Sequence, residues 1–164
     1  MPSFPPRAAE LIETLRLEPH PEGGFYREVF RSAQHVTPDD ARGRRHALTT
    51  IYYLLPAGSV SRWHRVESDE VWHFYEGAAL ELLELNPSGR ALVRHQLGGV
   101  GNGMSPVCTI AAGHWQAARP QGAYTLVGCT VAPGFEFGDF RLLADDREVA
   151  DIVRPTWPDL AGLI

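Results

Sequence analysis

The stretch GSVSRWHRVESDEVWHFYEG, residues 58–77, decides the predicted fold of this chain. It places His64 and Glu70 six residues apart and has a glycine at each end. Because side chains alternate between the two faces of a β-strand, Arg62 and Val66 are expected on the face that carries His64. The stretch therefore predicts two strands that bring an imidazole and a carboxylate into one interior.

Glu70 opens the second of these strands, and its neighbours follow the same alternation. Trp72 and Phe74 are expected to point inward with Glu70. His73 has the opposite parity and is expected on an outer or subunit-packing face. His73 is therefore not counted among the predicted site residues.

The rest of the chain consists mainly of short β-rich runs separated by turns rich in Gly and Pro. The predicted strands cover residues 47–55, 61–66, 70–76, 79–85, 91–97, 107–110, 114–118, 123–131 and 139–144. This spacing is typical of a sandwich or barrel. A short helix is predicted over residues 7–17, and a strand begins at Phe25. Residues 33–46 are predicted to be an exposed excursion, and residues 150–164 a short helix packed outside the barrel.

Length and composition limit the classes to which the protein can belong. Its 164 residues, 44% hydrophobic and 21% charged, suit one globular domain over residues 1–164. The net charge of −5 offers no basic surface for nucleic acid, and no apolar run is long enough to span a membrane. The first residues lack the apolar stretch of a secretory signal, so we predict a cytoplasmic protein. Cys108 and Cys129 are predicted to be free thiols.

Three blocks of sequence carry a family resemblance. They are PHPEGGFYREVFRS (19–32), TTIYYLLPAGSVSRWHRVESDEVWHFYEG (49–77), and AGHWQAARP (112–120) followed by YTLVGCTVAPGFEFGDF (124–140). Together they resemble the small, single-domain cupin-5-like family of unknown function, which shares a barrel with deoxysugar-nucleotide 3,5-epimerases. The resemblance implies a mostly β fold, the cupin double-stranded β-helix or jelly-roll barrel, to which the predicted N-terminal helix is added. It also implies a homodimer and a small-molecule pocket at the mouth of the barrel.

Two of the metal-ligand positions depart from the cupin motifs. The first motif runs Gly, five residues, His-x-His, three or four residues, Glu, six residues and Gly. Gly58, His64, Glu70 and Gly77 fall on this spacing, whereas Val66 replaces the second histidine. In the second motif, Gln116 stands where the metal-binding histidine is expected. One hypothesis is thus a metal-dependent cupin enzyme that holds a divalent metal ion with a reduced ligand set, His64, Glu70 and Gln116.

A second hypothesis uses the same residues without a metal. Burial of Glu70 against Trp72 and Phe74 would disfavour its ionised form, and His64 beside it could serve as a base. Such a pair suits an isomerase or epimerase that removes a proton next to a carbonyl group. Three tyrosines are candidate proton donors, Tyr26, Tyr52 and Tyr53, and Tyr52 completes the predicted catalytic set with His64 and Glu70. The epimerases also supply a lysine, which this chain does not contain.

A third hypothesis is a non-catalytic cupin that only recognises a ligand. The predicted ligand-binding residues are Arg27, Thr50, Arg62, Trp72, Phe74 and Gln116. Polar groups in an aromatic-lined cup are typical of a small-molecule site. Under each hypothesis the partner is a small polar metabolite, such as a sugar or nucleotide derivative.

Overall fold

A computed structural model describes residues 4–164 as two large antiparallel β-sheets and a two-stranded hairpin, with helices packed on the outer sides of the large sheets. The strands are β1 Glu18–Pro19, β2 Phe25–Arg31, β3 His35–Val36, β4 Arg45–His46, β5 Thr49–Pro56, β6 Ser61–Val66, β7 Asp69–Gly77, β8 Leu80–Leu85, β9 Leu92–Leu97, β10 Val107–Ile110, β11 Trp115–Pro120, β12 Tyr124–Ala132 and β13 Phe140–Leu142. The helices are α1 Pro6–Leu15 and α2 Arg147–Thr156, with 3₁₀ turns at Phe137–Asp139, Leu143–Asp145 and Pro158–Leu163. The prediction of a mostly β chain with a short N-terminal helix is confirmed.

The strands alternate between two sheets rather than following one another in a single sheet. The first sheet has six strands in the order β1-β2-β5-β12-β7-β10. The second has five strands in the order β13-β6-β11-β8-β9. Such crossing between antiparallel sheets is the connectivity of a jelly roll. Within residues 4–164, no helix is long and apolar enough to cross a membrane.

The main core lies between the two sheets. Tyr53 and Trp72 from the first sheet pack in one cluster with Leu82 and Ala118 from the second, and all four are almost fully buried. Strand alternation directs these side chains inward, as predicted for Trp72. This apolar layer fills one end of the interior, so the other end is free to form a pocket.

A second core covers the outer face of the five-stranded sheet. Trp63 and Trp115 are fully buried there beneath α2 and the last 3₁₀ turn. The indole N–H of Trp63 donates to the carbonyl oxygen of Leu160 at 3.3 Å. Asp146 caps α2 by accepting from the backbone N–H of Val149 at 3.3 Å. The predicted C-terminal helix is therefore present, and it begins three residues earlier than expected, at Arg147.

Helix α1 packs on the outer face of the six-stranded sheet. Ala8 and Leu11 contact Leu54 and Leu126 in a small separate cluster. The helix ends at Arg16, whose φ of 54° is left-handed and turns the chain back toward the sheet. This turn directs the following segment, residues 17–24, along the open end of the barrel.

A β-bulge changes which side chains of β6 face the interior. His64 pairs with Gln116 and Ser61 pairs with Ala118, so β6 contains one extra residue opposite β11. A bulge of this kind reverses the alternation on one side of it. Ser61 and His64 consequently both point inward, and Arg62 turns out to donate to the carbonyl oxygen of Pro21 at 2.7 Å. The prediction that Arg62 shares the interior face with His64 is wrong for this reason.

Candidate functional site

A cavity of about 550 Å³ opens between the sheets at the end of the barrel that the apolar core leaves free. Much of its wall is apolar or aromatic, formed by Tyr26, Ile51, Val66, Val131, Phe135 and Phe140. Five carboxylates and two imidazoles also line it. Its volume lies in the range of about 300–1,000 Å³ that is usual for small-molecule sites.

Glu22 and His64 form a buried ion pair at the floor of the cavity. Glu22 is 5% exposed and His64 is 2% exposed. The Nδ1–H of His64 donates to the carbonyl oxygen of Arg62 at 2.8 Å, and its Nε2 lies 3.2 Å from Oε2 of Glu22. A neutral ring with its proton on Nδ1 would present a lone pair to the carboxylate. When the ring is also protonated on Nε2, this contact is an ion pair between an imidazolium and a carboxylate.

Glu22 reaches the floor because of the glycine turn that follows it. A Cβ atom on Gly23, which has a φ of 117°, would lie only 2.0 Å from the carbonyl oxygen of Val60. Only glycine allows this close approach of the backbone. The carboxylate of Glu22 then accepts from the hydroxyl of Ser61 at 2.8 Å.

Glu70 is the second buried carboxylate, and a chain of hydrogen bonds holds it. The amide Nε2 of Gln116 donates to Oε2 of Glu70 at 2.5 Å, and the amide oxygen of Gln116 accepts from the indole N–H of Trp72 at 2.8 Å. Because an indole N–H can only donate, it fixes the orientation of the amide. Burial raises the pKa of Glu70 to about 7, an effect that the His64 charge opposes and the Glu22 charge reinforces.

Two further titratable groups at the floor are neutral. The Nδ1 of His20 accepts from the backbone N–H of Glu22 at 3.2 Å, and burial lowers the pKa of the His20 ring. The thiol of Cys129 has its pKa raised by burial and by the nearby charges of Glu70 and Glu22. Both groups therefore offer polar contacts without charge.

The mouth of the cavity is closed on one side by the segment that leads into β13. Arg31 binds both carboxylate oxygens of Glu28, at 2.9 and 2.8 Å, and a carboxylate oxygen of Glu136 at 3.0 Å. On the other side of this segment, Arg45 binds both carboxylate oxygens of Asp139 at 2.8 and 2.7 Å. The predicted exposed excursion thus contains the β3–β4 hairpin, which anchors the aromatic rim of the pocket.

The structure brings together some of the predicted site residues. His64 and Glu70 line the cavity, and Gln116 lies directly behind Glu70. Trp72 and Phe74 belong to the apolar core beneath the cavity. The alternation of β7 therefore points Glu70, Trp72 and Phe74 inward as predicted, but Trp72 and Phe74 do not line the cavity and so do not occupy the predicted ligand-binding positions.

Other predicted residues lie elsewhere. Tyr52 and Thr50 are on the outer face of β5, where the Tyr52 ring contacts Tyr75 and the Thr50 hydroxyl bonds to Thr130 at 2.9 Å. Thr49, Ile51 and Tyr53 alternate with them and line the cavity instead. The guanidinium of Arg27, at the rim, lies over the Tyr52 ring at 5.9 Å. Tyr52, Thr50 and Arg62 consequently do not contact the cavity.

Sequence reasoning missed the participation of Glu22 and His20, and it chose Tyr52 for the catalytic set although Tyr53, another of its three candidate donors, lines the cavity. The signal was the run Pro19-His20-Pro21-Glu22-Gly23-Gly24, in which two titratable residues precede two glycines. A hydrogen bond anchors this glycine turn to β5, because the hydroxyl of Tyr53 donates to the carbonyl oxygen of Gly23 at 2.9 Å. His20 and Glu22 come from a segment far from the motif in sequence, so spacing within the motif could not reveal them.

The predicted metal ligands do not fit a three-donor site. The amide oxygen of Gln116 is occupied by Trp72, and the amide nitrogen that faces Glu70 cannot bind a cation. The Nε2 of His64 faces the carboxylate of Glu22 at 3.2 Å and is engaged by it. Among residues 4–164, no group of three or more His, Cys, Asp or Glu side chains is arranged to hold a metal ion. We therefore derive no step through a metal.

An antiparallel jelly-roll barrel with a polar pocket between its sheets is the architecture of a cupin. The family model described as Cupin superfamily (DUF985), Cupin_5, matches residues 9–143, and the chain belongs to this family. The resemblance inferred from the three sequence blocks is confirmed.

Three relatives illustrate how far the similarity extends. A hypothetical protein from Leishmania major is 33% identical, with a TM-score of 0.80 and 96% of each chain covered. Protein SO0799 from Shewanella oneidensis is 34% identical, with a TM-score of 0.78, covering 95% of this chain and 93% of that one. The uncharacterized protein YML079W of Saccharomyces cerevisiae is 24% identical over 94% of this chain and 84% of its own length.

Proposed function

We propose that the protein binds a small polar metabolite in the cavity and catalyses proton transfer next to a carbonyl group, as an isomerase or epimerase does. The observation that carries this proposal is the pairing of a buried carboxyl group of pKa about 7, Glu70, with the Glu22–His64 ion pair in one cavity. Adjacent titratable groups whose environments push their pKa values apart are suited to separate acid and base roles.

Glu70 takes the role of the base. A general base is most effective when its pKa lies near the working pH, and burial supplies that value here. The hydrogen bond from Gln116 holds one carboxylate oxygen, Oε2, so the carboxylate has a fixed orientation. The proton bound to the carbon next to the carbonyl group passes to Glu70, and its electron pair moves toward the carbonyl oxygen. This assignment replaces His64, predicted as the base, because the Nε2 of His64 is engaged by Glu22 at 3.2 Å.

The Glu22–His64 pair takes the role of the acid. The imidazolium provides a proton and a positive charge for the carbonyl oxygen as it becomes negative, and Glu22 stabilises the imidazolium. The Nδ1–H bond to the Arg62 carbonyl oxygen keeps the ring in one orientation throughout. Transfer of the proton from Glu70 to the former carbonyl carbon of the resulting enediol, while the hydroxyl proton of the neighbouring carbon passes back to His64, completes an isomerisation and restores both groups.

Solvent exchange tests this function even when the product has not been identified. Sugars with a carbonyl group are incubated with the protein in D₂O, and loss of the C–H signal next to the carbonyl is followed by NMR. We expect Glu70→Gln to slow exchange by at least about 100-fold. His73→Gln is the matched control, since His73 lies on the same strand but outside the cavity. Equal exchange by Glu70→Gln and the unmodified protein would contradict the proposal.

A non-catalytic binding protein is the second candidate. It is favoured because the polar groups at the floor already have partners within the protein. Glu70 accepts a hydrogen bond from Gln116, and His64 contacts Glu22. Fully paired groups are pre-organised for recognition. Calorimetry separates the two candidates, because a sugar that binds and shows no exchange in D₂O supports the binding protein.

A further inference from the structure

The charge distribution of the cavity points to its ligand, and we infer that this ligand is a sugar without an anionic group, either uncharged or carrying an amine. Sugar phosphates, nucleotides and uronates are excluded by this assignment. The inference rests on the proposed function, because it names the substrate class of the same site.

The floor of the cavity has no cationic group other than the ring of His64, which is paired with Glu22. The chain contains no lysine, and no arginine side chain reaches the floor, which is formed by His20, Glu22, Tyr53, His64, Glu70 and Cys129. The positive charge of His64 is matched by Glu22 at 3.2 Å. His20 is neutral. An anionic group placed here would face Glu70 with no unpaired positive charge to offset the repulsion.

The arginines at the mouth do not supply the missing charge. Arg31 already donates to Glu28, to Glu136 and to the carbonyl oxygen of Phe135 at 3.2 Å, so its charge is opposed by two carboxylates. Arg27, at the rim, has its guanidinium over the Tyr52 ring at 5.9 Å. Arg16 stands on the exposed rim at the end of α1. The cavity is lined by five carboxylates but by only three guanidinium groups.

The aromatic walls of the cavity suit the ring of an uncharged or amine-bearing sugar. Tyr26, Phe135 and Phe140 present aromatic surfaces around the polar floor. The negative faces of aromatic rings attract the C–H groups of a sugar ring, whereas they repel anions. A neutral or amine-bearing ring can therefore stack on the walls while its hydroxyl groups bond to the floor.

Four matched sugars test the assignment: glucose, glucosamine, glucuronate and glucose 6-phosphate. Each retains the aldehyde carbon and the neighbouring C–H. Binding is measured by calorimetry and by saturation-transfer NMR at about 10 mM ligand, above the millimolar Kd of a weak complex. We expect glucose or glucosamine to bind at least about tenfold more tightly than either anion.

A gain-of-binding variant makes the test independent of folding defects. In Glu28→Gln/Glu136→Gln, Arg31 loses both of its carboxylate partners and becomes available to an anion. We expect this variant to bind glucose 6-phosphate about tenfold more tightly than the unmodified protein does, and to show a much smaller change for glucose, which has no anionic group. Glu67→Gln/Glu148→Gln is the control, because it removes two exposed carboxylates that do not line the cavity.

The possible outcomes separate this inference from the proposed function. Tighter binding of glucuronate or glucose 6-phosphate than of both other sugars to the unmodified protein overturns the inference, whether or not exchange occurs. Binding of glucose or glucosamine without exchange supports the inference and contradicts the enzymatic role alone. Failure of all four sugars to bind overturns the assignment to sugars.

Discussion

The amide of Gln116 donates to the carboxylate of Glu70 at 2.5 Å, at the position where the second cupin motif has a metal-binding histidine. The amide oxygen cannot turn toward the cavity, because Trp72 needs it as an acceptor. Glu70 is therefore held by a hydrogen bond from a neutral side chain. Burial raises the pKa of Glu70, and the charge of His64 opposes that rise.

Replacing Gln116 should destabilise the barrel. Gln116→Leu leaves the buried N–H of Trp72 without an acceptor and removes a donor from Glu70, so we expect a loss of about 1–3 kcal/mol in the free energy of unfolding. Urea denaturation followed by tryptophan fluorescence measures it. Gln121→Leu, in an exposed turn, is the control and should change stability by less than about 0.5 kcal/mol. Equal effects of the two substitutions would show that the amide bridge contributes nothing.

The stability of the protein should depend on pH through Glu70. Its pKa is raised from 4.5 to about 7 in the folded state, so the folded protein retains a proton that the unfolded chain loses above about pH 4.5. Stability attributable to this group therefore falls as pH rises from about 4.5 to about 7. Relative to Glu70→Gln, we expect the unmodified protein to lose up to about 3 kcal/mol across this interval, measured by urea unfolding at several pH values. Parallel pH profiles of the two proteins would refute the assignment.

Glu22 and His64 should be energetically coupled. A double-mutant cycle with Glu22→Gln and His64→Gln is expected to give a favourable interaction energy of about 1–3 kcal/mol, because both charges are buried. The pair Glu84 and His95, 2.8 Å apart on a more exposed surface, serves as the control and should give less than about 1 kcal/mol. A coupling energy no larger than that of the control pair would contradict the buried ion pair.

A single substitution, Gln116→His, should increase the amount of divalent metal that the protein binds. Because the donors of Gln116 and His64 are already engaged, protein purified without a tag or chelator is expected to contain far less than one equivalent of a divalent metal. Gln116→His restores the histidine of the motif and should increase bound Zn²⁺ or Ni²⁺ severalfold in elemental analysis. Near-stoichiometric metal in the unmodified protein that is lost in His64→Ala would instead support the metal-dependent hypothesis.

We propose that a second copy of the chain covers the outer face of the six-stranded sheet, which would form the predicted homodimer. The register aligns Phe30, Thr50, Thr130, Val71 and Thr109 in one row across this face. Phe30 is 53% exposed and Tyr75 is 50% exposed. Large aromatic side chains exposed together on one face are typical of a surface that a partner covers.

Light scattering tests this interface. We expect Phe30→Asp to convert a dimer to a monomer, because a carboxylate would be buried in an apolar contact. Phe137→Asp is the control, since Phe137 is equally exposed but belongs to the rim of the cavity. A monomeric unmodified protein, or a dimeric Phe30→Asp variant, would contradict the proposal.

The positions of the strands and half of the candidate site could be predicted from the sequence. Alternation and turn residues are local properties, and they located the strands that carry His64 and Glu70 as well as the inward direction of Trp72. The same local rule failed for Arg62 because β6 contains an extra residue opposite β11. It also failed for Tyr52, since the choice between Tyr52 and Tyr53 depends on which face of β5 meets the second sheet.

By itself, the amino-acid sequence determined that this chain forms an antiparallel barrel with one imidazole and one carboxylate inside. Periodicity and glycine spacing act over neighbouring residues and require no tertiary information. Only the tertiary structure decided that Glu22 joins His64, and that Gln116 donates to Glu70 instead of presenting its oxygen. The physical reason is that each contact joins segments far apart in the chain. Their geometry is set by a close backbone approach at Gly23 and by the donor-only indole of Trp72.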